Sequence, residues 1–141
     1  MSSSSKAVSQ QKILSVALPT PLYRAFDYIY PINHEGNDIL PGQRVMVSFG
    51  RRTLTGIILE IKSESDFPIA KLKPITQLVD AQPIIPPSIM SIAKWAAQYY
   101  CHPIGEVLFA ILPTALRKGD TISIASTYRW SINKERVEKA E

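Results

Sequence analysis

The stretch PGQRVMVSFGRRTLTGIILEI, residues 41–61, decides the fold. Pro41-Gly42 is a turn pair, after which Val45, Val47 and Phe49 recur with period two and leave Arg44, Met46 and Ser48 on the opposite face, the pattern of a half-buried strand. Gly50-Arg51-Arg52 reads as the tip of a hairpin, and Thr53 to Ile61, rich in β-branched residues, as its returning arm. Gly56 inside that arm marks a bulge or a close backbone approach.

Working outward, Ile13 to Leu18 is a short apolar strand ended by Pro19 and Pro21, and Asp27 to Tyr30 a second strand stopped by Pro31. Residues 33–38 read as a polar loop. On the other side of the hairpin, a polar segment from Lys62 to Asp66 leads through Phe67-Pro68 to a further strand around Lys73 to Val79. Five short strands at this spacing predict a small OB-like barrel over about 13–80.

The period changes after Pro86-Pro87. Ile89, Ile92, Ala93, Ala96, Tyr99 and Tyr100 follow helical spacing with Ser88 as a cap, and Ile104, Val107, Leu108 and Ile111 follow it again between Pro103 and Pro113. An αα-hairpin over 87–118 is expected to cover one side of the barrel, making a mainly β domain with appended helices (α+β) over 13–119. Residues 1–12, MSSSSKAVSQQK, read as a disordered arm or expression remnant. Residues 120–141 read as the start of a following domain, such as a winged helix, or a tail, with a strand over 121–130 and a charged helix over 133–141.

The 141 residues suit one domain with a real core, and 45% hydrophobic with 20% charged residues is ordinary for a globular protein. The 16 Lys+Arg against 12 Asp+Glu give a net charge of +4, which permits a polyanionic partner without demanding one. Between Val16 and Asp80 seven basic residues face seven acidic ones, so nucleic acid would be bound here by local placement of charge. The single cysteine, Cys101, excludes an intramolecular disulfide framework and fits a reducing compartment. No apolar run approaches the roughly 20 residues of a membrane-spanning helix, and cytoplasmic residence is the default.

Several chemistries find no support. There is no phosphate-binding loop of the G-x-x-x-x-G-K-[ST] type, so ATP hydrolysis by this chain is not expected. Cys101, His34 and His102 are too few for a four-ligand zinc site without carboxylates. Cys101-His102 resembles a nucleophile beside a base, yet adjacent side chains point apart, and an interhelical corner is the simpler reading. Trp95, Tyr99 and Tyr100 offer stacking faces but at helical spacing read as core. For Phe26-Asp27 the pattern alone favours an ordinary packing contact and a local hydrogen bond.

Taken together, VALPTPLYRAFDYIYP at 16–31, the hairpin at 41–61, LKPITQLVD at 72–80 and WAAQYYCHPIGEVLFAILP at 95–113 resemble the 3′-DNA-binding domain of the primosomal protein N′ family of replication-restart helicases. The resemblance implies a pocket for the 3′-terminal nucleotide of DNA, at forks or single strands, made by Phe26, Asp27, Gly50 and Lys73. It reverses the plain reading of Phe26 and Asp27. Arg51 and Arg52 are either phosphate contacts or a solvated turn. Ser48 stands where the family pattern has proline, which bears on turn geometry. The resemblance further implies a part in replication restart and primosome assembly, with DNA and other primosome proteins as partners. No cofactor and no catalysis are expected of this chain alone, whereas full-length family members are ATP-dependent 3′-to-5′ helicases using ATP, Mg and structural zinc. The alternative reading is a protein-interaction module docking a partner or the parent helicase core.

Overall fold

The computed structural model describes residues 11–31 and 38–122. The strand and helix expected beyond Ile122, His34, and most of the polar loop before Asp38 lie outside the described residues. Five strands, β1 (Ile13–Ala17), β2 (Phe26–Ile29), β3 (Arg44–Phe49), β4 (Arg52–Lys62) and β5 (Gln77–Leu78), form one sheet in the order β2-β1-β4-β3-β5. Every ladder is antiparallel. The expected OB-like β domain with appended helices is the fold observed, but the sheet does not close into a barrel.

The sheet nevertheless curls until its edges meet. The Tyr28 hydroxyl donates to the Ser48 carbonyl at 3.0 Å, joining β2 to β3 although two strands separate them in the sheet. At the seam Ile29 N–H donates to Lys73 O at 2.9 Å and Ile75 N–H to Ile29 O at 3.0 Å, around a single bridge between Ile29 and Pro74. The bridge does not extend into a ladder, and β5 is only two residues long, so the backbone pairing that closes the seam is confined to the Ile29–Pro74 bridge.

Two cores lie on the two faces of the central strands, because successive strand residues point to opposite sides. Leu14, Val16 and Ile58 face the inside of the curl with Tyr28, Tyr30, Val45, Val47 and Ile75. Ala17 and Ile57 face outward, under Met90, Ala93, Leu108, Phe109 and Leu112 of the helical layer. Both faces of β1 are therefore buried. Gly56 is the expected close approach: a Cβ there would collide with Val16 Cγ1 and lie 2.9 Å from Leu18 Cδ2. The bulge sits nearby, at Leu59, where the β1 register passes from Ser15 opposite Glu60 to Val16 opposite Ile58.

The helical layer comprises α1 (Pro87–Tyr99), α2 (Ile104–Ile111) and a short α3 (Thr114–Arg117). Pro87 opens α1 and no side chain caps it, so Ser88 is a first-turn residue, not a cap. Facing also differs from expectation. Met90, Ala93 and Ala97 are buried, while Ile92, Trp95, Tyr99 and Tyr100 are 58–70% exposed. Small residues let the helix lie close to its neighbours, and the large ones turn outward.

Arg44 is the largest departure. Expected on the solvent side of β3, it is fully buried and held by Asp80, Nε to Oδ2 at 2.8 Å and Nη2 to Oδ1 at 2.6 Å. Its own backbone N–H donates to the same carboxylate at 3.0 Å, and Nη1 donates to Leu116 O at 2.7 Å. This bidentate pair ties the sheet to the end of β5 and to α3.

Burial raises the Tyr28 phenol above its ordinary value of 10.0. The folded state thus keeps a proton that the unfolded chain releases, and stability falls as pH rises above about 10. Tyr28→Phe loses one hydrogen bond, roughly 1 kcal/mol at neutral pH. Its urea midpoint should fall less steeply than the parent's over this alkaline range. Parallel curves would contradict the assignment.

Candidate nucleic-acid interface

The open seam holds a cavity of about 250 Å³, walled by the start of β2, the β3–β4 turn and the segment between β4 and β5. Phe26, Asp27, Gly50 and Lys73 all line it. These four residues span 47 positions in the chain and are brought together by the curl of the sheet.

Gly50 and Arg51 make a two-residue hairpin turn between the paired Phe49 and Arg52. Gly50 has φ +59 while Arg51 does not adopt positive φ, the arrangement of a turn with glycine at its first central position. Nothing lies within 4 Å of where a Gly50 Cβ would project, so backbone conformation, not crowding, requires glycine. The turn forms with Ser48 in place of proline, Ser48 pairing with Thr53 in the ladder. Arg51 and Arg52 are exposed at the tip and are not among the residues lining the cavity.

Asp27 leaves the edge strand with its side chain 9% exposed. Its Oδ1 accepts from Lys62 Nζ at 3.3 Å and its Oδ2 from Ser65 Oγ at 2.6 Å. Ser65 Oγ also accepts from the Phe67 backbone N–H at 3.2 Å, which links the carboxylate to the loop after β4. An ionised carboxylate has about four acceptor positions, so two contacts leave room for a ligand's donors.

Phe26 is half-buried. Phe49 meets it edge to face at a centroid separation of 5.0 Å, and the Arg24 guanidinium carbon lies 4.8 Å from its ring centroid. Arg24, Lys71 and Phe67 also line the cavity and were not singled out from sequence. Arg24 precedes β2 and Lys71 lies in a 3₁₀ turn, so strand alternation does not reach either of them. Ser65 and Lys62 meet Asp27 only through tertiary folding.

Charge is thereby sorted. Arg44 and Lys62 are engaged by Asp80 and Asp27, while Arg24, Lys71 and Lys73 line the cavity around one carboxylate. Elsewhere, Cys101 takes φ +47 at the corner after α1, and His102 Nε2 pairs with Glu106 Oε2 at 2.9 Å. Trp95 stacks on Tyr99 at 5.1 Å and Tyr99 meets Tyr100 edge-on at 4.9 Å, all three at the surface instead of in the core. Among the described residues no helix is long and apolar enough to cross a membrane.

Comparison with known proteins bears on this arrangement. The family profile described as the 3'DNA-binding domain (3'BD), of PriA, matches residues 15–113. The chain is similar to the replication restart protein PriA of Haemophilus influenzae, 40% identical over 110 residues covering 78% of this chain and 15% of that protein. It is also similar to the replication restart protein PriA of Bacillus subtilis, 32% identical over 94 residues covering 67% of this chain and 12% of that protein. The chain thus spans only a small part of the length of the relatives it matches. With the profile covering most of the described strands and helices, the chain belongs to the family of the PriA 3′ DNA-binding domain.

Proposed function

We propose that this domain binds the 3′-terminal nucleotide of a DNA strand in the seam cavity, and that within its parent protein it directs replication restart to the nascent leading strand at an arrested fork. The observation that carries this reading is the convergence of Phe26, Asp27, Gly50 and Lys73 on one cavity, in a chain whose family is a 3′ DNA-binding domain. Asp27 accepts a hydrogen bond from the free 3′-hydroxyl or a base edge. Phe26 walls the pocket, the bare backbone at Gly50 admits the sugar, and Lys73, with Arg24 and Lys71, holds the phosphate on the 5′ side. The domain binds without making or breaking bonds; helicase activity driven by ATP belongs to the remainder of the parent protein. Arg51 and Arg52 follow the strand away from the pocket.

A second reading, docking of a partner protein or the parent helicase core, is favoured by the exposed Trp95-Tyr99-Tyr100 face and is compatible with the first, since an end sensor must pass its signal onward.

End recognition is tested by comparing a linear single-stranded oligonucleotide with a covalently closed circle of the same sequence. The linear strand should bind more tightly, and equal affinity would reject the reading. Lys73→Ala should weaken binding for all terminal bases and make the slope of log K against log salt shallower by about one. An unchanged slope in a folded variant would remove Lys73 from the phosphate contact.

A further inference from the structure

We propose that Phe67, on the loop after β4, is the residue that stacks on the base of the terminal nucleotide. This rests on the end-pocket reading and adds to it the element that senses whether a base is present. Four aromatic rings line the cavity, and three are committed to the protein. Tyr28 is buried, Phe26 is half-buried between Arg24 and Phe49, and Phe49 packs on the core. Phe67 is 54% exposed and faces the same cavity. A flat, accessible ring beside a hydrogen-bonding carboxylate and three cations suits a nucleobase, whose π-face stacks on aromatics regardless of its identity.

The loop is positioned, not merely present. Phe67 N–H donates to Ser65 Oγ, which itself donates to Asp27 Oδ2, so the carboxylate that meets the sugar end also holds the backbone that carries the ring. Pro68 follows at φ −55, and a 3₁₀ turn at Ile69–Lys71 closes the loop back to the cavity wall, Lys71 N–H donating to Pro68 O at 2.8 Å. A ring held on such a short, tethered arch loses little freedom when a base settles on it.

The test uses linear oligonucleotides with a free 3′-hydroxyl whose terminal nucleotide either carries its base or is abasic. The parent domain should prefer the base-bearing end on the order of tenfold, Phe67→Trp should keep that preference, and Phe67→Ala should reduce it to about twofold or less. Because Phe67 is largely exposed, its truncation leaves the core intact and binding of the abasic end nearly unchanged. If Phe67→Ala keeps the parent's preference, or if the parent shows none while still preferring linear over circular DNA, the stacking role is overturned and the end pocket stands. Loss of the linear-over-circular preference in the parent itself would overturn both.

Discussion

Asp80→Ala lowers the unfolding free energy by about 3–5 kcal/mol, because it leaves the Arg44 guanidinium buried without its counter-charge. Arg44 is fully buried, and the Asp80 carboxylate accepts three of its donors, two from the guanidinium and one from the backbone. A domain of this size is stable by roughly 5–15 kcal/mol, so about a fifth or more of the total is at stake. In urea the midpoint should fall by roughly 2 M at an m-value of about 2 kcal/mol/M. Arg44→Met combined with Asp80→Leu should cost less than the two single changes summed, since it removes both charges together. A single-variant loss below about 1 kcal/mol would show that water reaches the pair and that it does not pin the helical layer to the sheet.

The second large effect is on selectivity. Asp27→Asn should narrow the preference for a 3′-hydroxyl over a 3′-phosphate end on the order of tenfold, about 1.4 kcal/mol, while weakening hydroxyl-end binding much less. A terminal phosphate brings up to two negative charges next to the carboxylate. Lys62, 3.3 Å from Asp27 Oδ1 and partly exposed, offsets part of that repulsion, which holds the expected effect to this size. Asn keeps an oxygen for the Ser65 hydroxyl and the 3′-hydroxyl but removes the charge. A folded Asn variant that rejects the phosphorylated end as strongly as the parent would assign selection to the turn at Gly50 and leave Asp27 as a structural hydrogen-bond acceptor.

How much of this was legible in the sequence differs by element. The β3–β4 hairpin was plain from the alternation of Val45, Val47 and Phe49 and from Gly50, because a half-buried strand and a two-residue turn each impose a local pattern. The presence of α1 was equally plain, but its facing was not. Met90-Ala93-Ala97 and Ile92-Trp95-Tyr99 have the same helical spacing, and side-chain size points to the wrong stripe when close packing selects the small residues. Arg44 could not be placed from sequence: charged residues are seldom buried, and its partner lies 36 positions away. The extent of barrel closure is visible only in three dimensions, since β2 meets the segment before β5 at the single Ile29–Pro74 bridge. For the cavity, Phe26, Asp27, Gly50 and Lys73 came together through family resemblance, whereas Phe67, Ser65 and Lys62 needed the folded loop.

The seam between β2 and the segment before β5 is the proposed seat of a strand's terminal nucleotide. A crystal structure of this domain with a trinucleotide ending in a free 3′-hydroxyl tests it most directly. The terminal nucleotide should lie in the cavity, with its 3′-hydroxyl or base edge within hydrogen-bonding distance of Asp27 and its 5′ phosphate toward Lys73. A trinucleotide found on the Trp95-Tyr99-Tyr100 face, or bound through an internal nucleotide with the seam empty, would contradict it.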